Sequence, residues 1–376
     1  MHRLACLLLL CPTIAGPVHA LDHVVFKQDG KELRVSGRVE VASKDWGVVL
    51  VGRDGMLWRI PAKQLVSHTR DDVPFKPLSG DELAKQLMGE LPKGFQVYKT
   101  AHYVILHDTS KSYAQWCGAM LERFYTAFRT FWTNQKVALR EPEFPLVAII
   151  FADKQAYLKY ANATVGELND QIVAYFYPDA NRMVMYDLTG AAAAGRAGGA
   201  RIPVSQFLTL PNAAKLISTV IHEATHQLTF NFGILARHVS CPVWFNEGLA
   251  VFFEAPDLSK AAKGWGTIGK VDPSRLNQFR RYLGGRPANS LETLLAGDAR
   301  FRDPKQATDA YAEAWALTYF FLQKYRKPYV QYMATLAKLD PLAEDAAETR
   351  LKQFQAVFGD LKSLDREFLR YMQTVK

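Results

Sequence analysis

Two histidines four residues apart, His222-Glu223-Ala224-Thr225-His226, stand in the middle of a strongly helical pattern. From Ala213 to Asn231 the apolar residues Leu216, Ile217, Val220, Ile221, Ala224 and Leu228 recur at three- and four-residue spacing, and the pattern stops before Gly233. Asn212, after Pro211, is expected to cap its start. On such a helix His222 and His226 lie one turn apart on one face, so both imidazoles reach a single ion. Glu223 is rotated by about 100° from that face, close enough to take a proton from a water without occupying the metal itself. Two nitrogens leave a tetrahedral ion short of ligands, so the chain must return a third protein donor to this helix.

The segment Pro242-Val243-Trp244-Phe245-Asn246-Glu247-Gly248-Leu249-Ala250 supplies one. Pro242 suits the start of a helix, and Glu247 follows His226 after a loop long enough to bring it back. Glu247 is flanked by Trp244, Phe245, Leu249, Val251, Phe252 and Phe253. An unpaired carboxylate in such a helix is costly to bury, and metal ligation removes the cost. Two imidazoles and one carboxylate suit Zn²⁺ better than Ca²⁺ or Mg²⁺, which prefer oxygen. One Zn²⁺ per chain is expected.

HExxH followed by W-F-N-E-G-L-A resembles the gluzincin zinc peptidases, distantly the aminopeptidase-N-like enzymes and more closely the bacterial family called peptidase MA-like. The resemblance spans about residues 95–325. It implies a thermolysin-like zincin catalytic domain, with His222, His226 and Glu247 as zinc ligands and Glu223 as general base. The segment Asp309-Ala310-Tyr311-Ala312-Glu313-Ala314-Trp315-Ala316-Leu317 resembles the family helix that begins with a tyrosine facing the metal. Carried over, Tyr311 donates a hydrogen bond to the oxyanion of the tetrahedral intermediate. The chain departs from the family in two places. The Gly-Ala/x-Met-Glu-Asn grip on a free amino terminus is missing, and Val251 stands where some gluzincins carry a histidine-orienting acid. Glu254, two turns after Glu247, and Asn246 are expected to orient the ligands instead. Gluzincins commonly seat an extended substrate against a sheet edge, and Ile172, Val173, Ala174, Tyr175, Phe176 and Tyr177 are expected to form that strand. They pair through the turn Pro178-Asp179-Ala180-Asn181 with Met183–Asp187, whose apolar run is expected to line an open groove. Together these readings describe a zinc metallopeptidase acting on peptide or protein substrates, an endopeptidase rather than an exopeptidase. The alternatives are a catalytically silent binding or scaffold protein of the same fold, and a zinc amidase cutting cell-wall amide bonds.

The rest of the chain sets the context. Its 376 residues are 49% hydrophobic and 22% charged, a balance that supports packed cores and excludes a disordered chain. The net charge is +9, but the basic residues are scattered and form no nucleic-acid footprint. Residues 1–20 read as a signal peptide, with Arg3, an apolar run over Leu4–Leu10 and a cleavage site at Val18-His19-Ala20. The protein is therefore expected in the periplasm or outside the cell, with no integral membrane segment after cleavage. Cys117 and Cys241 then remain, paired or free. Five short strands over 21–66 suggest a small SH3-like β-barrel, and charged, proline-containing 67–94 a linker with one helix at 81–88. Residues 95–255 are expected to hold a mixed sheet and the zinc helix, and 256–376 a helical C-terminal lobe, making the chain α+β. Glycine-rich 190–202 reads as a surface loop, and the oligomeric state is open.

Overall fold

The computed structural model describes residues 20–168, 170, 172–193, 201–255, 266, 268–341 and 346–376. The chain divides into two compact units, Met1–Pro77 and Leu78–Lys376. The expected signal peptide lies outside the described residues except for Ala20, which opens the first strand. No helix among the described residues is long and apolar enough to cross a membrane.

The first unit is an antiparallel sheet of β1 (Ala20–Gln28), β2 (Lys31–Ser43), β3 (Gly47–Gly52), β4 (Leu57–Pro61) and β5 (Leu65–Pro74), in the order β4-β3-β2-β1-β5. Val24, Phe26, Val48, Leu50 and Ile60 form its core. Three expectations are corrected. The sheet is not a closed barrel, because β4 and β5 are its two edges. The strands are not all short: β2 is 13 residues long, passes through Gly37 and shifts register against β3 between Val39 and Val41. A Cβ at Gly37 would lie 2.1 Å from the Val51 carbonyl oxygen, so this glycine permits close approach within a strand rather than ending one. The third correction is the segment 67–94. Its first part completes β5, which pairs with β1, and its middle is α1 (Gly80–Glu90), closed by a capping box between Ser79 and Glu82. The first unit thus runs to Pro77, not 66.

The second unit is built on a mixed sheet in the order β6-β7-β8-β10-β9: β6 (Gln96–Lys99), β7 (Tyr103–His107), β8 (Leu146–Phe151), β9 (Ala174–Tyr177) and β10 (Arg182–Tyr186). β7, β8 and β10 run parallel, linked through α2 (Lys111–Asn134) and α3 (Lys154–Thr164), while β6 and β9 are antiparallel edges. The central strands are buried on both faces and read as continuous apolar runs, as parallel strands covered on both sides must. β10 is therefore interior and lines no open groove, contrary to expectation. The helices α4 (Leu188–Ala193) and α5 (Val204–Phe207) lead to α6 (Ala213–Asn231) and α7 (Val243–Phe253). The glycine-rich stretch between α4 and α5 falls mostly outside the described residues. The remaining chain is helical: α8 (Pro273–Leu283), α9 (Ser290–Ala296), α10 (Ala299–Arg302), α11 (Ala307–Lys324), α12 (Arg326–Leu336), α13 (Ala347–Phe358) and α14 (Leu361–Thr374). With its antiparallel and mixed sheets and these helices, the protein is α+β.

Candidate metal centre

α6 has the bounds that its apolar periodicity requires, but Asn212 makes no side-chain capping bond. The helix is held by its own polar residues instead. Buried Gln227 donates to the Val147 carbonyl of β8 at 3.0 Å. Asn231 and Asn181 exchange side-chain amide bonds of 2.7 and 3.0 Å, which clip the β9–β10 turn to the end of α6. Asn181 has φ +55°, a left-handed conformation that Asn tolerates in a turn. The clip lays edge strand β9 along α6, where Phe176 stacks on Phe230 with ring centroids 6.0 Å apart.

The expected edge strand is thus present from Ala174 to Tyr177, and Ile172 and Val173 precede it. Its outward N–H at Phe176 donates to Glu223 Oε2 at 2.8 Å. Burial raises the Glu223 pKa and Glu247 adds to the rise, while His222, His226 and the Phe176 amide oppose it; the net direction is upward. That favours proton uptake.

α7 carries the third donor to the same place. It packs against both α6 and α11. Gly248 makes the second crossing possible, since a Cβ there would lie 2.4 Å from Thr318 Oγ1 and 3.0 Å from the Ala314 carbonyl oxygen. His222 Nε2 lies 3.1 Å from Glu247 Oε2, His226 Nε2 lies 3.5 Å from Glu247 Oε1, and the two Nε2 atoms are 3.2 Å apart. Four-coordinate zinc, with bonds of about 2.0–2.1 Å, would hold tetrahedral ligand atoms about 3.3 Å apart. His222, His226 and Glu247 therefore form a possible metal-binding triad.

Proton placement sharpens this conclusion. His226 Nδ1 faces Asn246 Oδ1 at 3.1 Å, and that oxygen only accepts, so Nδ1 carries a proton. His222 Nδ1 faces Glu254 Oε2 at 3.2 Å and carries one for the same reason. In the neutral rings both Nε2 lone pairs then point at each other and at a carboxylate. Three acceptors converge with no donor between them, which calls for a cation. Where no metal is bound, a proton is the cation. Burial works to lower the His222 pKa, yet its bonds to Glu247 and Glu254 raise it well above the ordinary value. Burial works to raise that of Glu247, and the imidazoles hold it well below the usual carboxylate range. The donor set fits a divalent ion.

Asn246 and Glu254 thus stand where ligand-orienting groups were expected, and Val251 is fully buried in the core. Tyr311, in the second turn of α11, packs edge-on against Phe301. Burial and the carboxylates of Glu247 and Glu223 push its phenol pKa up, so it stays a protonated donor beside the centre. Cys117 and Cys241 are not joined in a disulfide.

Sequence reasoning did not reach Arg275. Its Nε and Nη2 bond Glu254 Oε1 at 2.8 and 2.7 Å. The signal that could have placed it in the first turn of a helix is Asp272-Pro273, a capping residue followed by proline.

A family model described as a protein of unknown function (DUF1570) matches residues 216–343, a span that takes in His222, Glu223, His226, Glu247, Glu254 and Tyr311. Among curated proteins, none matches the chain.

Proposed function

We propose that the chain is an exported, zinc-dependent endopeptidase of the gluzincin kind, its second unit a thermolysin-like zincin domain. The observation that carries this reading is the convergence of two Nε2 atoms and the Glu247 carboxylate beside the part-buried Glu223. His222, His226 and Glu247 would hold Zn²⁺, which when bound polarises a scissile carbonyl and acidifies water.

Glu223 takes the proton of the attacking water and hands it to the leaving amine, for which its raised pKa suits it. The Tyr311 phenol donates to the developing oxyanion. β9 binds an extended substrate by strand addition, since no strand among the described residues pairs with its outer edge. The Phe176 N–H on that edge holds Glu223 toward the substrate's path. Nothing in the sequence resembles the acidic grip for a substrate ammonium, and this favours cleavage inside a chain.

The test is a peptide with acetylated and amidated ends beside its free-ended twin, incubated with zinc-loaded protein and with Glu223→Gln. Comparable cleavage of both peptides, absent in the variant, supports the reading. Strict dependence on a free amino terminus would restore an aminopeptidase. No cleavage of a broad peptide mixture by zinc-replete protein would favour the binding or scaffold alternative.

A further inference from the structure

We propose that Arg275 is a positioning residue of the metal centre, acting through Glu254 to fix the ring of His222. The inference rests on the metal-binding reading of the triad and extends it beyond the groups that touch the ligands.

The geometry divides the two oxygens of Glu254. Oε1 takes both Arg275 bonds, at 2.8 and 2.7 Å, leaving Oε2 for His222 Nδ1 at 3.2 Å. Two charge-assisted bonds on Oε1 anchor the carboxylate at one end and favour the orientation that turns Oε2 to the imidazole.

Arg275 is itself fixed at its root. It lies in the first turn of α8, and the Asp272 side chain accepts from its backbone N–H at 3.0 Å and from that of Ser274 at 2.7 Å. Glu254 ends α7, seven residues past Glu247. The pair therefore ties the helix that bears the third ligand to α8.

Charge points the same way. Glu223, Glu247 and Glu254 place three carboxylates in one largely buried space, and a divalent ion with one guanidinium matches them. Arg suits this better than Lys, because its two parallel donors reach one acceptor without a flexible ammonium.

The experiment reads metal affinity and ligand geometry. Metal-free protein is titrated with Co²⁺, following its visible absorption, and Zn²⁺ affinity is measured against a chromophoric chelator. The variants are Arg275→Gln, Arg275→Lys, Glu254→Gln and the Arg275→Gln/Glu254→Gln pair, each checked by thermal melting. Arg275→Gln is expected to weaken Zn²⁺ by about tenfold or more and to alter the cobalt spectrum, the scale for groups that orient a ligand. Glu254→Gln should do the same, and the pair should bind no worse than Glu254→Gln alone. Arg275→Lys, which keeps the charge, should resemble Arg275→Gln in its spectrum. If Arg275→Gln does not fold, Arg275→Lys is compared alone and in the Glu254→Gln background. Wild-type affinity in either Arg275 variant, or losses that multiply in the double variant, would overturn the proposal. Should wild-type protein bind no metal, the triad reading falls first; should it bind one equivalent while Arg275 proves indifferent, only this inference falls.

Discussion

Glu223 and Glu247 are both buried carboxylates, and their surroundings push them in opposite directions. Glu247 bonds two imidazoles and is held ionised, while at Glu223 desolvation outweighs the imidazoles and the Phe176 amide. One is suited to ligation and the other to proton transfer. Glu223→Gln keeps the shape and removes the base, so metal content should be unchanged while peptide hydrolysis falls by at least about a hundredfold. Unchanged turnover would place the base elsewhere. Tyr311→Phe deletes only a phenol oxygen, and its expected effect is a fall of about 10² in rate with fold and metal retained. Tyr319→Phe is its control, since that ring stacks on Trp315 and its hydroxyl is bonded to Tyr371. An effect from Tyr319→Phe without one from Tyr311→Phe would show that the wrong tyrosine has been assigned. At this scale the sequence was most readable, because ligand chemistry is written in residue type and spacing. Arg275 stayed hidden because its contact with Glu254 comes from the packing of α8, which no local pattern encodes.

The crossing of α7 and α11 is the element on which the third ligand depends. Gly248 adjoins Glu247 and lets the α7 backbone approach Thr318 and Ala314. Gly248→Ala would force the helices apart, and overpacking of this kind costs about 1–3 kcal/mol. Metal affinity should fall with it, and Thr318→Ala on the same background should recover part of both losses. Denaturant unfolding with metal titration measures the pair; full wild-type behaviour of Gly248→Ala would show that the contact is not what sets Glu247. Elements were legible in proportion to their periodicity. α6 has the bounds expected for it, being a long amphipathic helix. β5 was missed because Leu65–Pro74 is largely exposed and polar, with no alternation to mark a strand. β10 was found but given the wrong surroundings, since an apolar run has the same appearance whether it lines a groove or is covered on both sides.

In the whole molecule, every proposed ligand, the proposed base and the edge strand belong to the Leu78–Lys376 unit, which has its own continuous core. That unit expressed alone should fold and bind one metal with wild-type affinity; loss of binding would mean that the first unit completes the site. The first unit carries its own buried charge cluster. Asp22, 1% exposed, accepts from His68, Arg70 and the Val39 amide. Burial works to raise its pKa, but these bonds lower it below the ordinary value. Its contribution to stability is therefore present above the unfolded carboxyl pKa of about 3.9 and is lost as pH falls through the lower folded value. Melting of residues 20–77 should weaken below about pH 4, and Asp22→Asn should flatten that dependence. The α+β class could be read from the change of pattern along the chain. The openness of the first sheet could not, because strand pairing at its edges is settled by contacts between residues far apart in sequence. The central claim is that His222, His226 and Glu247 hold one zinc ion, and elemental analysis of purified protein tests it most directly. The account predicts near-stoichiometric zinc in the wild type and sharply reduced zinc in His222→Ala, His226→Ala and Glu247→Ala; undiminished zinc in those variants, or a wild type that takes up none when zinc is supplied, would contradict it.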